Sequence, residues 1–478
     1  MSVRREVWRE AGPVPCPLRQ AALRSPKAPA ILGPAGTLSY AELDRRVSAA
    51  AERLGALKRG TRVAIHMPKD ERYFVLLLAL LRAGLVACPV STRLPASAVA
   101  PLLEGAACRA IVAGEGLPAA PGVQKLQPES LLRGGEGVGA TPSLRADDPA
   151  TVVFTSGSTG TPKAALHTLA NHLYSALGSN ENIPLAPGDR WLHTLPLYHV
   201  GGLSVVFRCL LAGAAISLPQ EGAPLGEEIE RSRATHVSVV ATQLRRLLRE
   251  DADTRSLKAV LLGGGPVPVS LVEEAARRGL PVHTSYGLTE MASQVTTTPP
   301  GAPVEELRTS GRVLPHRELR IGEDGEILVR GRTLFAGYVE GERLELPLDG
   351  EGWFHTRDIG ELNDGGRLVV RGRKDNMFVS GGENVQPEEV EEALRRLGGV
   401  EEAVVVAVPD EEWGARPVAF VRADGDLSPE SLAGQLRRRL PRFMVPDEFH
   451  PWPEDAPAGM KPDRRFFRER ALRLRGGR

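Results

Sequence analysis

The hydrophobic and polar residues near the start of the chain repeat with periods that predict alternating helices and strands. Residues 38–54 place Ser39 at an N-cap position with Glu42 three residues later, which is the capping-box pattern of a helix start. The apolar stretch Arg62–His66 predicts a buried strand, and residues 70–84 predict a second helix that leads into the apolar segment CPV. Strands that alternate with helices indicate an α/β domain with parallel strands.

The same alternation returns between residues 191 and 287 and is lost after Gly311. The apolar segments HVSVVA and KAVLLGGG alternate with helical stretches, which predicts a second α/β layer. After Gly311, short alternating strands with glycine turns are typical of a small antiparallel barrel or sheet. Beyond Asp375, a helix, two strands and a further helix predict an α+β domain of about 100 residues.

Length, charge and cysteine content narrow the class of protein. A chain of 478 residues predicts two or more domains, since a single core usually stops growing below that size. The chain has 60 Lys and Arg against 59 Asp and Glu, so charge gives no reason to expect a nucleic-acid partner. Arg82, Gly84 and Pro89 interrupt the most apolar stretch, residues 73–90, which argues against membrane insertion. The chain has four scattered cysteines and an amino terminus without a signal-peptide pattern, which favours a cytoplasmic protein. The balanced charge favours small-molecule partners, and a homo-oligomer is possible.

The segment FTSGSTGTPK, residues 154–163, predicts a phosphate site. Gly157 and Gly160 let backbone amides turn toward one point, and Lys163 adds a positive charge. Hydroxyl groups that can donate hydrogen bonds come from Thr155, Ser156, Ser158 and Thr159. Pro162 and Ala164 stand where a Walker loop has Gly and Ser or Thr, so a P-loop fold is excluded, while a Ser/Gly-rich linker would have a similar composition.

This segment resembles the signature loop of the adenylate-forming superfamily, which includes acyl-CoA synthetases, luciferases and adenylation domains. YGLTE at residues 286–290, WFHTRDIG at 353–360, GRKDNMFVSGGENV at 372–385 and AGMK at 458–461 resemble its other motifs, in the same order. The resemblance implies an α/β fold with a large amino-terminal domain, residues 1–372, made of two α/β sheet subdomains and a small β-barrel. It also implies a hinge at residues 373–375 and a small mobile α+β domain over residues 376–478.

The resemblance implies an ATP site with Mg²⁺. Glu290 would help to hold Mg²⁺, Thr289 would contact phosphate, Asp358 would bind the ribose hydroxyls, and Arg373 would precede the hinge residue Asp375. By themselves, Glu290 would fit a surface carboxylate and Asp358 a turn residue. Attack of a carboxylate on the α-phosphate joins two anions, so a metal and cationic side chains must neutralise charge. The implied ATP-binding residues are Thr155, Ser156, Gly157, Ser158, Thr159, Gly160, Lys163, Gly264, Tyr286, Gly287, Asp358 and Arg373.

Lys461 is implied as the catalytic lysine, together with catalytic roles for Thr289, Glu290 and His199. It would reach the carboxylate and α-phosphate oxygens while the adenylate forms, and would swing away while the thioester forms. A lone lysine near a basic tail is otherwise simply solvated. The coenzyme A site would be lined by Ser380, Gly381 and Gly382. Two residues depart from the family pattern, which commonly has Gly where Arg357 stands and rarely has Pro after the lysine, as Pro462 is here.

The apolar run VGGLSVVFRCLL, residues 200–211, bears on which acid is activated. Its one charge, Arg208, needs an anion, either an internal Asp or Glu or a second carboxylate on the substrate. His199 stands where amino-acid-activating relatives have Asp, which disfavours an amino-acid substrate. LPLYHVGGLSVVFR and SYGLTEMASQV resemble the o-succinylbenzoate-CoA ligases of menaquinone biosynthesis, whose substrate is an aromatic dicarboxylate. This resemblance implies a substrate pocket lined by His199, Gly202, Arg208, Ser293 and Gln294. A bidentate pair between Arg208 and the second carboxylate would favour binding of a diacid over a monoacid by roughly 1.5 to 3 kcal/mol, about ten- to a hundredfold.

The sequence thus predicts a two-step ligase. Acid and MgATP would give an acyl-adenylate and pyrophosphate, and coenzyme A would then displace AMP to leave a thioester. Three alternatives stay open at this point: a benzoate- or anthranilate-type CoA ligase, a stand-alone adenylation enzyme that loads a carrier protein, and a non-catalytic nucleotide-binding relative.

Overall fold

The computed structural model describes residues 13–117, 120–133, 144–155, 162–265, 267–381, 383–425, 428–457 and 462–476. The strands are β1 (Pro13–Val14), β2 (Pro29–Gly33), β3 (Gly36–Ser39), β4 (Arg62–His66), β5 (Val86–Pro89), β6 (Ala110–Ala113), β7 (Gln124–Leu126), β8 (Leu144–Arg145), β9 (Pro149–Thr155), β10 (Lys163–Thr168), β11 (Arg190–Leu192), β12 (Ala215–Ser217), β13 (His236–Val239), β14 (Ala259–Leu262), β15 (Val282–Leu288), β16 (Ser293–Thr297), β17 (Arg312–Val313), β18 (Arg317–Ile321), β19 (Glu326–Gly331), β20 (Gly337–Glu340), β21 (Arg343–Glu345), β22 (Phe354–Leu362), β23 (Leu368–Arg373), β24 (Phe378–Ser380), β25 (Glu383–Val385), β26 (Val400–Asp410), β27 (Gly414–Ala423) and β28 (Glu448–Pro451). The helices are α1 (Pro17–Arg24), α2 (Tyr40–Arg53), α3 (Glu71–Arg82), α4 (Ala96–Gly105), α5 (Pro128–Leu132), α6 (Leu169–Asn182), α7 (Val200–Ala212), α8 (Leu225–Ser232), α9 (Ala241–Leu247), α10 (Val269–Arg277), α11 (Val304–Leu307), α12 (Pro387–Arg395), α13 (Pro429–Leu436) and α14 (Arg464–Gly476).

Two large sheets form the amino-terminal part of the molecule. An eight-stranded sheet has the order β21-β20-β10-β9-β5-β4-β6-β7, and a nine-stranded sheet has the order β17-β16-β15-β14-β13-β11-β12-β2-β3. The strands from β9 to β7 and from β15 to β2 run parallel, and antiparallel strands extend the sheets at their edges. The two predicted α/β subdomains are therefore confirmed.

Helix α3 lies within the core of this part. It begins at its cap Asp70 and is buried along almost its whole length, because its residues are apolar on every face. Its last residue, Arg82, is buried as well and forms an ion pair with Asp44 on α2, with Nη2 and Oδ1 2.6 Å apart. In the part of the chain that the structure describes, no helix is long and apolar enough to cross a membrane.

The predicted capping box at the start of α2 is confirmed. The Ser39 hydroxyl accepts a hydrogen bond from the Glu42 N–H, and the Glu42 carboxylate accepts one from the Ser39 N–H at 2.8 Å. These contacts satisfy two backbone donors that a helix start leaves without partners.

The remaining sheets are antiparallel or mixed and smaller. Strands β18-β19-β22-β23 form an antiparallel sheet in the place of the predicted barrel, and β26-β27-β28 with α12 and α13 form the predicted α+β unit. Two ion pairs join this unit to the segment around α9: Arg245 with Glu402 at 3.0 Å, and Arg249 with Glu401 at 2.5 Å.

The carboxyl ends of β9, β14 and β15 carry or directly precede six predicted site residues: Thr155, Gly264, Tyr286, Gly287, Thr289 and Glu290. In open α/β sheets, ligands bind in the crevice outside the carboxyl ends of parallel strands. The topology therefore brings sequence segments that are far apart to one region of the molecule.

Candidate active site

The predicted phosphate loop is flanked by the paired strands β9 and β10. Thr155, the last residue of β9, pairs with Lys163, the first residue of β10. Five predicted loop residues lie outside the described residues: Ser156, Gly157, Ser158, Thr159 and Gly160. Lys163 is exposed, and its Nζ lies 4.8 Å from the centroid of the Tyr338 ring. The cation of the predicted loop therefore sits beside an aromatic ring that the sequence motifs did not indicate.

Glu290, the predicted metal ligand, lies on a 3-10 helix, Thr289–Met291, directly after β15. Tyr338 donates a hydrogen bond from its hydroxyl to Oε1 of Glu290 at 2.6 Å. The Phe335 N–H donates to the Glu290 carbonyl oxygen at 2.8 Å, which fixes the backbone of the same turn. No described residue donates a hydrogen bond to Oε2, the second carboxylate oxygen.

The donor set around Glu290 fits Mg²⁺. Among the described residues, no group of three or more His, Cys, Asp and Glu side chains could hold a metal ion. Mg²⁺ is usually held by one or two carboxylates together with substrate phosphates, rather than by a cage of protein ligands. A single carboxylate with one oxygen fixed and the other available is what such a site requires.

Thr289 is positioned through its backbone. His167 on β10 is fully buried, and its Nε2 lies 2.7 Å from the Thr289 carbonyl oxygen. Burial lowers the pKa of His167 to about 4, so the ring is neutral and donates through its Nε2–H. The strand that begins with Lys163 thus also supports the turn that carries Thr289.

The predicted ribose-binding residue, Asp358, is buried between two partners. Tyr286 donates its hydroxyl to Oδ2 at 2.7 Å, and Nη1 of Arg373 lies 3.0 Å from Oδ1. Asp358 and Arg373 face each other in the pairing of β22 with β23. A hydroxyl donor and a guanidinium thus hold the Asp358 carboxylate in place.

Two predicted nucleotide-site glycines lie at strand ends. Gly264 follows β14 and is exposed, with a φ of +86°. At Gly287 a Cβ would lie 2.2 Å from the Ser293 carbonyl oxygen, so only glycine allows β15 and β16 to approach here.

Arg208, the predicted anchor for the acid, is completely buried on α7. Its Nη2 donates to Gln294 Oε1 at 2.6 Å and to the Ser293 hydroxyl at 3.3 Å, and its guanidinium lies 5.1 Å from the Trp191 ring centroid. Its Nε and Nη1 have no hydrogen-bond partner among the described residues. Burial lowers the pKa of Arg208 to about 10, so the side chain remains a cation at neutral pH.

Among the described residues, no Asp or Glu side chain pairs with Arg208, whose acceptors are the Gln294 amide oxygen and the Ser293 hydroxyl. Instead, a second buried arginine lies nearby. Arg317 donates to the carbonyl oxygens of Gln294, Pro315 and Ser175, at 2.6 to 3.2 Å. Burial, and then the charge of Arg208, lower the pKa of Arg317 to about 9. Two buried cations that have only neutral acceptors make this region attractive to an anion.

His199 and Gly202 lie at the start of α7, about 13 Å and about 9 Å from Arg208 along the helix axis. His199 is the half-buried N-cap residue, and its ring packs edge-on against Tyr198. A Cβ on Gly202 would lie 2.2 Å from the Pro196 carbonyl oxygen. Gly202 therefore allows a close backbone contact at the start of α7, the helix that also carries Arg208.

Asp375, the predicted hinge residue, is held by two arginines. Nε of Arg357 donates to Oδ1 at 2.7 Å, and Nη2 of Arg373 lies 3.4 Å from Oδ2. Arg357 has a φ of +62°, the left-handed region that glycine favours. Arg357, which departs from the family pattern, thus has the backbone conformation of a glycine and adds a side-chain contact to Asp375.

The predicted coenzyme A segment is a hairpin of β24 and β25. Ser380 is buried, and its hydroxyl accepts a hydrogen bond from Arg416 at 3.1 Å. The Gly381 N–H donates to the Trp413 carbonyl oxygen at 2.9 Å. Gly382 and the predicted catalytic residue Lys461 lie outside the described residues.

Two family descriptions match the chain. AMP-binding enzyme matches residues 18–339, and AMP-binding enzyme C-terminal domain matches residues 389–458. The chain belongs to the AMP-binding enzyme family.

Individual members of the AMP-binding enzyme family are similar over most of the chain. The 2-succinylbenzoate–CoA ligase of Salmonella typhimurium strain LT2 is 36% identical over 446 residues, 93% of this chain and 95% of the relative. A structure of an E. coli MenE variant with bound OSB-AMS has a TM-score of 0.85 at 33% identity and covers 96% of this chain and 98% of its own. o-Succinylbenzoate CoA synthetase (MenE) from Bacillus subtilis, in complex with the acyl-adenylate intermediate OSB-AMP, has a TM-score of 0.87 at 30% identity, with coverage of 95% and 98%. The same protein in complex with ATP and magnesium ion has a TM-score of 0.86 at 30% identity, with coverage of 94% and 98%.

Three residues of this AMP-binding enzyme contact predicted site residues but were not indicated by the sequence: His167, Arg317 and Tyr338. Each lies in a strand, where a single polar or aromatic residue is not unusual. In contrast to these three residues, Arg208 could be recognised in the sequence, because a charged residue within a long apolar run is unusual.

A substitution at Arg357 tests the unusual backbone of this enzyme near the hinge. We expect Arg357→Ala to lower the free energy of unfolding by about 1 kcal/mol relative to Arg357→Gly, because alanine keeps a Cβ in the left-handed region. Both variants lose the exposed pair with Asp375, so this contact cancels in the comparison. Urea unfolding of the two variants measures the difference. Equal stabilities would show that the backbone relaxes to an ordinary conformation.

Proposed function

We propose that the chain is a 2-succinylbenzoate–CoA ligase that works through an acyl-adenylate. The observation that carries the proposal is the buried Arg208, which has no carboxylate partner in the described structure, in an AMP-binding enzyme similar to 2-succinylbenzoate–CoA ligases over 93% of its length. A second carboxylate on the substrate supplies the anion that Arg208 lacks.

The first half-reaction joins the acid to AMP. The carboxylate oxygen attacks the α-phosphorus of ATP, and pyrophosphate leaves. The loop of residues 155–163, which ends in Lys163, binds the triphosphate, and Thr289 contacts phosphate. Asp358 and Tyr286 hold the ribose side of the nucleotide. Glu290 would hold Mg²⁺, which supplies neutralisation of the phosphate charge when bound. Lys461 stabilises the charge that develops between carboxylate and α-phosphate.

The second half-reaction forms the thioester. The sulfur of coenzyme A attacks the carbonyl carbon of the acyl-adenylate, the thiol proton passes to water, and the bond between the carbonyl carbon and the phosphate oxygen breaks to release AMP. We propose that the small domain, residues 376–478, turns about residues 373–375 so that Lys461 withdraws and Ser380, Gly381 and Gly382 approach coenzyme A. ATP, coenzyme A and the acid are its partners, and we propose that it acts in the cytoplasm.

The acid lies along α7 in this proposal. The activated carboxylate is held at the nucleotide end, near His199, and the other carboxylate meets Arg208. Ser293 and Gln294 hold the guanidinium from the opposite strand, and Arg317 fixes the carbonyl oxygen of Gln294 at 2.6 Å. A charge-assisted pair in this apolar setting contributes roughly 1.5 to 3 kcal/mol to discrimination between diacid and monoacid.

The experiment measures pyrophosphate release with Mg²⁺, ATP and coenzyme A across 2-succinylbenzoate, benzoate, anthranilate, a coumarate and a medium-chain fatty acid. The sharpest comparison uses 4-oxo-4-phenylbutanoate, which is 2-succinylbenzoate without the ring carboxylate. We expect kcat/KM for 2-succinylbenzoate to exceed that for this monoacid by about tenfold or more, with a CoA thioester as product. Equal turnover of the two acids would keep the adenylation chemistry and overturn the role of Arg208.

A further inference from the structure

Tyr338 on β20 contacts two predicted site residues that come from separate segments of the chain. Its ring lies under the Lys163 ammonium, 4.8 Å from centroid to Nζ, and its hydroxyl donates to Glu290 Oε1 at 2.6 Å. Strand pairing fixes this placement, because Tyr338 lies opposite Ala165, two residues after Lys163 on β10. The ring also packs edge-on against Phe335, whose N–H holds the Glu290 backbone.

Lys163 and Glu290 carry opposite charges, and each contacts the same side chain. Among the described residues, Lys163 forms no ion pair with a carboxylate, and Glu290 forms none with a lysine or arginine. A direct pair between them would occupy the ammonium that is to bind phosphate and the carboxylate that is to bind a metal. The aromatic face attracts the ammonium without neutralising it, and the hydroxyl fixes only one carboxylate oxygen.

We propose that Tyr338 is a positioning residue that holds Lys163 and Glu290 close together and keeps them from pairing with each other. The lysine then remains available to the triphosphate and Oε2 of Glu290 to Mg²⁺. This inference rests on the proposed function, since it concerns the same nucleotide site. Tyr338 acts through the two residues that it holds.

Two substitutions separate the contributions of the hydroxyl and the ring. Tyr338→Phe keeps the ring against Phe335 and under Lys163 but loses the donor to Glu290. We expect the Mg²⁺ concentration for half-maximal adenylate formation to rise about tenfold, because outer-shell partners of metal ligands typically contribute that much to metal affinity. Tyr338→Leu loses the ring as well, so Lys163 is free to pair with Glu290, and the KM for ATP is expected to rise in addition.

Metal binding is measured directly as well as through activity. Titration calorimetry of the full chain with ATP, at several Mg²⁺ concentrations and without acid, gives the affinity of the metal–nucleotide complex. Tyr174→Phe is the matched control, because the Tyr174 hydroxyl accepts a hydrogen bond from Arg332 rather than contacting Glu290. This control is expected to leave the Mg²⁺ dependence unchanged.

The outcomes distinguish the inference from the proposed function. Weaker Mg²⁺-dependent ATP binding in Tyr338→Phe, with a melting temperature within a few degrees of the wild type, supports the positioning role. Unchanged Mg²⁺ dependence in Tyr338→Phe, while the wild type binds MgATP, overturns the positioning role and leaves the ligase function standing. Absence of MgATP binding by the folded wild type overturns the proposed function itself.

Discussion

Replacing Arg208 with methionine is expected to lower kcat/KM for 2-succinylbenzoate about a hundredfold and to raise the melting temperature of the ligand-free enzyme. The activity falls because the second carboxylate of the substrate would lie in an apolar pocket without its cation, at a cost of about 3 kcal/mol. The stability rises because Arg208 is a buried charge with only neutral acceptors, and two of its nitrogens have no hydrogen-bond partner among the described residues. Methionine fills a similar volume without a charge.

Misfolding would lower both the activity and the melting temperature, whereas Arg208→Met is expected to lower the activity and raise the melting temperature. Pyrophosphate release gives the activity, and thermal unfolding without ligands gives the stability. Arg82→Met is the matched control, because Arg82 is also a buried arginine on a helix but faces the carboxylate of Asp44 at 2.6 Å. Removing this partner is expected to destabilise the protein by about 3 kcal/mol.

Two results would contradict the assignment of Arg208 as the group that binds the second carboxylate of the substrate. Full turnover of 2-succinylbenzoate by the Arg208→Met enzyme would show that another group binds the second carboxylate. Equal destabilisation by Arg208→Met and Arg82→Met would show that Arg208 is a structural cation with an internal partner. Turnover of 4-oxo-4-phenylbutanoate should change little in Arg208→Met, because that acid has no carboxylate for the arginine to bind.

Lys461→Ala is expected to slow adenylate formation by about 10²- to 10³-fold and to leave thioester formation from supplied acyl-adenylate within a few-fold of the wild type. The reason is that a cation aimed at the charge that develops between carboxylate and α-phosphate stabilises only the first transition state. Lys461 lies outside the described residues, so this prediction follows from its place in the AGMK motif. Rapid-quench measurement of adenylate, and separate mixing of synthetic acyl-adenylate with coenzyme A, isolate the two steps.

A control on the same terminal segment separates a specific loss from a general one. Arg468 on α14 is exposed and carries the same charge, so Arg468→Ala is expected to leave both steps unchanged. Equal loss of both steps in Lys461→Ala would contradict the division of labour between the two half-reactions. A loss shared by Lys461→Ala and Arg468→Ala would indicate instead that the terminal segment as a whole had been disturbed.

The sequence by itself determined the local elements and the type of chemistry. The capping box at Ser39 and Glu42, the buried helix α3 and the strand Arg62–His66 were readable because each depends on residues within a few positions of one another. The sequence likewise predicted that Arg208 needs an anion, because the residues next to it along the chain are apolar and exclude water around its charge.

Only the tertiary structure decided which distant residues meet and which anions are missing. Tyr338 contacts Lys163 and Glu290 because β20 pairs with β10, and Arg317 on β18 lies near Arg208 on α7, although these segments are far apart in the sequence. Likewise, whether Arg208 had an internal partner depended on every element packed around α7, and the described elements supply Ser293 and Gln294 rather than a carboxylate. Periodicity reports the face on which a side chain lies, whereas the partner on that face is set by sheet order and register, which arise from long-range packing.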